Sequence, residues 1–172
     1  YMSVLFRAVS PDMALALTPR AAVAVCGAIE AVSGRKTAIK WVNDVLIGGK
    51  KVCGILAEAR AGESLDVVLG IGVNVSAAPE GVPGAGAVFS AAPEKARELL
   101  AAEILNRIFS GTERLYEEYL SRCVTIGRRV SVLRGGERFE ALAVGLDRRF
   151  RLIIDRGGGR EALDSGEVSL HA

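Results

Sequence analysis

Histidine is almost absent: the single copy, His171, stands one residue from the end of the chain, where a frayed terminus is its ordinary setting. A Ser/His/Asp relay therefore has no base to work with. Cysteine is scarce as well. Cys26, Cys53 and Cys123 are odd in number, widely spaced and form no CxxC pair. That argues against a thiolate metal site and a disulfide framework and favours a reducing compartment, the cytoplasm. An excess of either charge is lacking: 22 Lys and Arg against 20 Asp and Glu leave +2, too little for a nucleic-acid footprint. The longest apolar runs, such as residues 21–29, fall far short of the roughly 20 residues that cross a membrane. No secretory leader is visible, so Asn74-Val75-Ser76 is not read as a glycosylation site. Aromatic residues are few, and Trp41 is the only tryptophan.

What remains is an ordinary globular composition in 172 residues, enough for one moderate domain and a small appendage. Residues 2–9 read as a strand that Ser10-Pro11-Asp12 interrupts. Thr18-Pro19 reads as the N-cap and first residue of a helix, with Val23, Cys26, Ala28, Ile29 and Val32 on its packed face and Gly34 as its stop. Residues 37–41 form a strand, 45–47 and 50–60 a hairpin around Gly48-Gly49, and 66–75 the next strand. Consecutive strands joined by short turns favour an antiparallel or mixed sheet over a doubly wound parallel one. Residues 76–92, rich in Gly, Pro and Ala, read as a long surface loop. Residues 93–122 read as helix, broken near Ser110-Gly111. From residue 126 short strands take over, at 129–133, 139–146, 152–155 and 168–170. The expectation is an α+β fold: residues 1–125 as a sheet backed by helices, and residues 126–172 as a small β-barrel leaning on it.

Two stretches carry unusual chemistry. Along residues 66–75, Val67, Leu69, Ile71, Val73 and Val75 point one way, while Val68, Gly70, Gly72 and Asn74 point the other. The first face is apolar and wants a helix. The second is stripped by two glycines, which suits either a flat ligand floor or a sheet bent for packing. Close by in sequence, Lys40-Trp41-Val42-Asn43-Asp44 runs through the glycine turn to Lys51 and Gly54. Strict alternation separates Lys51 from Gly54, so the two share a face only through a bulge. Neither stretch is a standard nucleotide motif. Val75 stands where a dinucleotide fingerprint needs its third glycine, and Val52 stands where a P-loop needs Ser or Thr.

The stretches KWVNDVLIGGKKVCGILAEA and VVLGIGVNV together resemble the bacterial biotin–protein ligases, the biotin–[acetyl-CoA-carboxylase] ligases. The segment from RRVSVLRGGERFEALAVGLD to GEVSLHA resembles that family's SH3-like C-terminal domain. One departure is Val42, where many members have proline. The resemblance implies a mixed sheet backed by helices, like the class II aminoacyl-tRNA synthetases, plus the SH3-like barrel. It also implies a two-step ligase. Biotin is activated by ATP, with Mg2+ on the phosphates, to biotinyl-5′-AMP, and the biotinyl group then passes to a lysine of the biotin carboxyl carrier protein. Carried over by position, Lys51 matches the active-site lysine, and Gly54, Ile55 and Leu56 match part of the biotin pocket. Gly70 and Gly72 match the pocket floor. Lys40, Trp41, Asn43 and Asp44 match the nucleotide-side signature, and Asn74 matches an amide near the adenylate. No resident metal site, nucleic-acid partner or membrane contact is implied, and a homodimer is compatible. The family places a Gly- and Arg-rich biotin loop ahead of the strand that begins here, so the resemblance implies a C-terminal portion of the ligase. Two other readings stand beside it: a lipoate or octanoyl transferase relative, and a non-catalytic fragment that binds biotin or the carrier protein.

Overall fold

The computed structural model describes residues 1–164 and 167–170, so His171 lies outside the described residues. The first domain is built from β1 (Met2–Phe6), α1 (Pro11–Ser33), β2 (Ala38–Lys40), β3 (Asp44–Ile47), β4 (Lys50–Ala61) and β5 (Leu65–Val73), followed by α2 (Ala96–Ser110) and α3 (Leu115–Arg122). Its sheet runs β1-β5-β4-β3-β2. Every ladder in it is antiparallel, which decides between the two arrangements open to the sequence. Among the described residues, parallel pairing occurs only as isolated bridges, Ile39 with Cys123 and Lys51 with Ala85.

The long helix starts earlier than Thr18-Pro19 suggests. Ser10 is the N-cap, its Oγ accepting from the Met13 N–H at 3.2 Å, and Pro11 takes the first turn. Two Ser/Thr-Pro pairs of equal quality lie eight residues apart, and the earlier one wins. Pro19 is then inside the helix. The bond it forfeits is to the Leu15 carbonyl, on a residue half exposed to solvent. Gly34 ends the helix at φ +68°, as its position suggests.

By length and composition α1 is apolar enough to cross a membrane, although its longest uninterrupted apolar run is short. Its apolar side is packed instead: Leu17, Ala21, Ala22, Val25, Cys26, Ala28 and Ile29 are buried in the core. Small residues let the helix lie close to the sheet. Gly27 serves the opposite side, where a Cβ would come within 2.8 Å of Arg107 Nη1 from α2.

The sheet meets α1 with the apolar face of β5. Val67, Leu69 and Ile71 are buried while the intervening Val68 is 41% exposed. The alternation read from the sequence thus sets which side faces the helices and which stays open.

The second domain comprises β6 (Arg129–Arg134), β7 (Glu137–Leu146), β8 (Leu152–Asp155), β9 (Arg160–Leu163) and β10 (Glu167–Leu170), in the order β10-β6-β7-β8-β9. β9 carries Arg160 and Glu161 and gives little strand signal; it exists because β8 supplies its ladder and Leu163 is buried. Gly157–Gly159 form the hairpin turn between β8 and β9, with the Gly157 N–H bound to Asp155 Oδ1 at 2.8 Å.

The domains join through an aromatic cluster. The Phe150 ring packs 5.8 Å from Tyr116 and 5.4 Å, edge-on, from Tyr119. Tyr116 donates its hydroxyl to the Leu146 carbonyl at 2.7 Å, and Arg148 lies over the Tyr116 ring while pairing with Glu117.

Candidate active site

A hollow of about 550 Å³ opens on the sheet face away from α1. Its floor is the β4–β5 ladder. Gly54 faces Gly72, and Gly70 faces Leu56, in a register that runs unbroken from Cys53–Val73 to Ala61–Leu65. The glycines therefore mark no bulge in this ladder. They leave bare backbone under open space, which favours the floor over the bent sheet. A Cβ on Gly70 would meet only the Leu56 carbonyl at 3.6 Å. A Cβ on Gly72 would meet the Tyr1 ring at 2.8 Å, because Tyr1, itself fully exposed, leans over that glycine.

The bulge that Lys51 and Gly54 require lies in the other ladder. Between β3 and β4 the register slips: Val45 faces Cys53, but the next residue, Leu46, faces Lys51. Val52 is the extra residue, and it is buried. The slip turns Lys51 onto the hollow's side, where a Cβ at Gly54 would lie 3.3 Å from Lys51 Nζ. The backbone of Lys51 is held by the loop beyond β5. Its N–H donates to the Gly84 carbonyl at 2.8 Å and its carbonyl accepts from the Gly86 N–H at 2.8 Å. Residues 76–92, expected as a plain surface loop, thus act partly as a clasp. Arg35 adds a bond to the Val88 carbonyl at 2.8 Å, and Val88 itself is buried.

Asp44 sits between two lysines. Its Oδ1 lies 2.5 Å from Lys51 Nζ and its Oδ2 lies 3.6 Å from Lys40 Nζ. Oδ1 is buried and has no hydrogen bond beyond that ion pair. The Lys51 side chain is about half exposed, so its ammonium remains reachable from the hollow.

The two asparagines border the hollow, and both spend their amide N–H groups on the protein. Asn43 Nδ2 donates to the Ile55 carbonyl at 2.8 Å. Asn74 Nδ2 donates to the Gly86 carbonyl at 2.9 Å and so ties the clasp to β5. Leu56 is exposed over the hollow, whereas Ile55 borders it with its side chain committed to the core at 2% exposure.

Trp41 is expected on the nucleotide side. It is not on the hollow's wall. Its indole is buried at the domain junction, Nε1–H donating to the Phe150 carbonyl at 2.8 Å, and the Trp41–Val42 peptide is cis. Lys40 also lies off the wall and reaches the site through Asp44. The tie to Phe150 carries no motif in the sequence, because such a contact exists only between distant parts of the chain.

No group of three His, Cys, Asp or Glu placed to hold a metal occurs among the described residues. Burial pushes the thiol of Cys53, at the hollow's edge, up to about 12, so it stays neutral there. A second cleft of about 440 Å³, between α1, α2 and α3, gathers Arg20, Arg107 and Arg122. Its arginines are engaged internally: Arg107 with Glu103, Arg122 with Glu30, and Arg20 with the Ile108 carbonyl.

The architecture defines a class: a first domain with a fold like that of the class II aminoacyl-tRNA synthetases, with an SH3-like C-terminal domain. Residues 1–74 match the biotin/lipoate A/B protein ligase family, and residues 125–171 match the biotin protein ligase C-terminal domain. The chain is 39% identical over 148 residues to the biotin–[acetyl-CoA-carboxylase] ligase of Mycobacterium tuberculosis, covering 80% of this chain and 54% of that protein. It is 32% identical over 193 residues to the bifunctional ligase/repressor BirA of Bacillus subtilis, covering 99% of this chain and 58% of that protein. Its fold matches the Aquifex aeolicus biotin protein ligase in complex with biotin and ATP, with a TM-score of 0.76 at 24% identity over 98% of this chain and 78% of the other. The chain belongs to the biotin protein ligases. It spans little more than half the length of the two curated relatives.

Proposed function

We propose that this chain carries the activation centre of an ATP-dependent biotin ligase. In the first step a biotin carboxylate oxygen attacks the α-phosphorus of ATP. The bond to the bridging oxygen breaks, giving biotinyl-5′-AMP and pyrophosphate. In the second, the amine of a lysine on the carrier protein attacks the acyl carbon, AMP leaves, and the amine loses its proton. The carrier is the biotin carboxyl carrier protein of acetyl-CoA carboxylase.

The observation that carries this reading is Lys51, turned by a bulge to hold its ammonium over a floor of bare glycine backbone. Bringing a carboxylate up to a triphosphate concentrates negative charge, and a fixed cation at that point stabilises the transition state more than the separated reactants. Gly54, Gly70 and Gly72 leave room for a flat ring system, with Leu56 and Ile55 at its edge. Lys40, Asn43, Asp44 and Asn74 form the nucleotide side in this reading, and Trp41 serves it from behind. Magnesium is assigned as the counter-ion that ATP brings, because no group of three His, Cys, Asp or Glu among the described residues is placed to hold a metal. Pyrophosphate release that requires both biotin and ATP tests the proposal; release without biotin, or none at all, would remove it.

The C-terminal domain match favours biotin over lipoate, and replacing biotin by lipoate in the same assay separates the two. A non-catalytic binding fragment would bind biotin without releasing pyrophosphate. We assign the protein to the cytoplasm, in keeping with three free, buried cysteines. No nucleic-acid partner is assigned to a chain of net charge +2. A homodimer formed along the β1 edge of the sheet fits the same proposal, since β2's edge is engaged by Cys123 and Val124.

A further inference from the structure

The three residues 41–43 connect β2 to β3 and sit between Lys40 and Asp44, the two ends of the charge cluster at Lys51. No regular ladder among the described residues includes them, so something else must fix their course. On one side they are tied to β4, by the Asn43 amide on the Ile55 carbonyl and by the Ile55 N–H on the Asn43 carbonyl. On the other side every tie comes from beyond the sheet. The Trp41 N–H donates to Thr125 Oγ1 at 2.8 Å, and Thr125, the first residue of the C-terminal-domain match, is fully buried. The indole Nε1–H donates to the Phe150 carbonyl at 2.8 Å. The Tyr119 hydroxyl donates to the Val42 carbonyl at 3.0 Å.

The second domain offers that carbonyl from a braced turn. The Phe150 N–H donates to the Asp147 carbonyl at 3.0 Å, and Asp147 Oδ1 accepts from the N–H groups of Arg149 and Arg151, each at 2.9 Å. Phe150 holds φ at +61°, a conformation a side-chain-bearing residue keeps only when its surroundings demand it. Its ring, pinned between Tyr116 and Tyr119, is that demand.

We propose that Trp41 and Thr125 are positioning residues through which the SH3-like domain fixes the segment that holds Asp44 against Lys51, and so sets affinity for the nucleotide. Neither side chain lies on the hollow's wall. They act by holding the segment's path, and a shift of about 1 Å in such a support is enough to misplace a charged group in an active site. The inference rests on the ATP-binding reading of the hollow.

The test uses Thr125→Val, which keeps the shape but removes the acceptor, and Thr125→Ser, which keeps the hydroxyl. Hydrogen–deuterium exchange on the whole chain comes first. In Thr125→Val the amides of residues 40–44 exchange about tenfold faster or more, as local opening replaces a bonded segment, while those of β5 keep their protection. Calorimetric titration follows: the Kd for ATP rises about fivefold or more, biotin affinity stays within about twofold, and Thr125→Ser restores both readouts. Unchanged protection at residues 40–44 overturns the proposal. So does a uniform loss of protection that includes β5, or an unchanged ATP affinity in a loosened variant. If the unsubstituted chain binds neither biotin nor ATP, the function proposed above falls, and so does the nucleotide-affinity claim that rests on it. Exchange at residues 40–44 then still decides whether Thr125 holds the segment.

Discussion

Lys51 and Asp44 meet at 2.5 Å although their strands do not pair them directly: Asp44 faces Gly54, and Lys51 faces Leu46. One extra residue in β4 makes the meeting possible. Without Val52 as a bulge, Lys51 would project with Cys53 toward α1. The ammonium thus reaches the hollow already neutralised, and an arriving anion shares it with Asp44. The carboxylate keeps Lys51 extended over Gly54 in the absence of substrate.

Substituting Lys51 by alanine removes the one Lys or Arg among the described residues of the hollow's wall. Biotin-dependent ATP–pyrophosphate exchange is expected to fall by about 100-fold or more, the scale of losing one preorganised charge-stabilising donor. The substitution also leaves the buried Asp44 Oδ1 without its partner, so the melting temperature should fall, and exchange is to be compared at a temperature where both proteins are folded. A folded variant with near-normal exchange would reassign the lysine.

Gly72→Val should fill the floor. Its Cβ displaces the flexible Tyr1 ring and otherwise clears the nearest backbone atom, the Gly54 carbonyl, by 3.8 Å, so the sheet has room for it. Biotin affinity is expected to drop about tenfold or more, equivalent to about 1.4 kcal/mol, in a calorimetric titration. Gly70→Ala, with its single contact at 3.6 Å, is the milder control. Equal affinity in all three proteins would move the ligand elsewhere.

Asn74→Ala tests the clasp. It strands the Gly86 carbonyl, which the amide satisfies at 2.9 Å, at a cost of about 1 kcal/mol. The loss is local, so limited proteolysis between residues 76 and 92 should accelerate while the cleavage pattern elsewhere stays the same. Slower exchange kinetics should accompany it, because Lys51 hangs from the same loop at Gly84 and Gly86.

Alkaline pH should destabilise the fold through its thiols. Burial pushes Cys53 up to about 12 and Cys26 up to about 11, from an ordinary 9.0. The unfolded chain then loses these protons first. Their contribution is complete below pH 9 and is lost as pH rises toward the folded values, at up to about 1.4 kcal/mol per pH unit for each thiol. Urea midpoints measured from pH 8 to pH 11 should decline, and Cys53→Ala should make the decline shallower. An equal slope in both proteins would place the effect on other groups.

Much of the fold was readable from residue order because it follows local rules. The alternation in residues 66–75 states which face meets α1, and Gly48-Gly49 states the hairpin. Helix α1 was misplaced at its start because Ser10-Pro11 and Thr18-Pro19 make equally good caps, and nothing local ranks them. β9 was missed because its pairing with β8, not its own residues, makes it a strand. In the candidate site, the glycine floor could be read from periodicity, and Lys51 needed a bulge that no single strand announces. The setting of Trp41 was not legible, since Thr125, which accepts from its main-chain N–H, and Phe150, which accepts from its indole, stand 84 and 109 residues away.

Trp41 is the chain's sole tryptophan, and it lies buried in the seam between the two domains. Near-ultraviolet excitation at the red edge of the protein band therefore reports from one point, and from the point that matters. Native emission comes from a dry indole bonded to a main-chain oxygen. Parting the seam would wet that ring and move its emission to longer wavelength, ahead of any change in circular dichroism from the sheets. The molecule contains its own optical gauge of whether its halves are docked, with no label added.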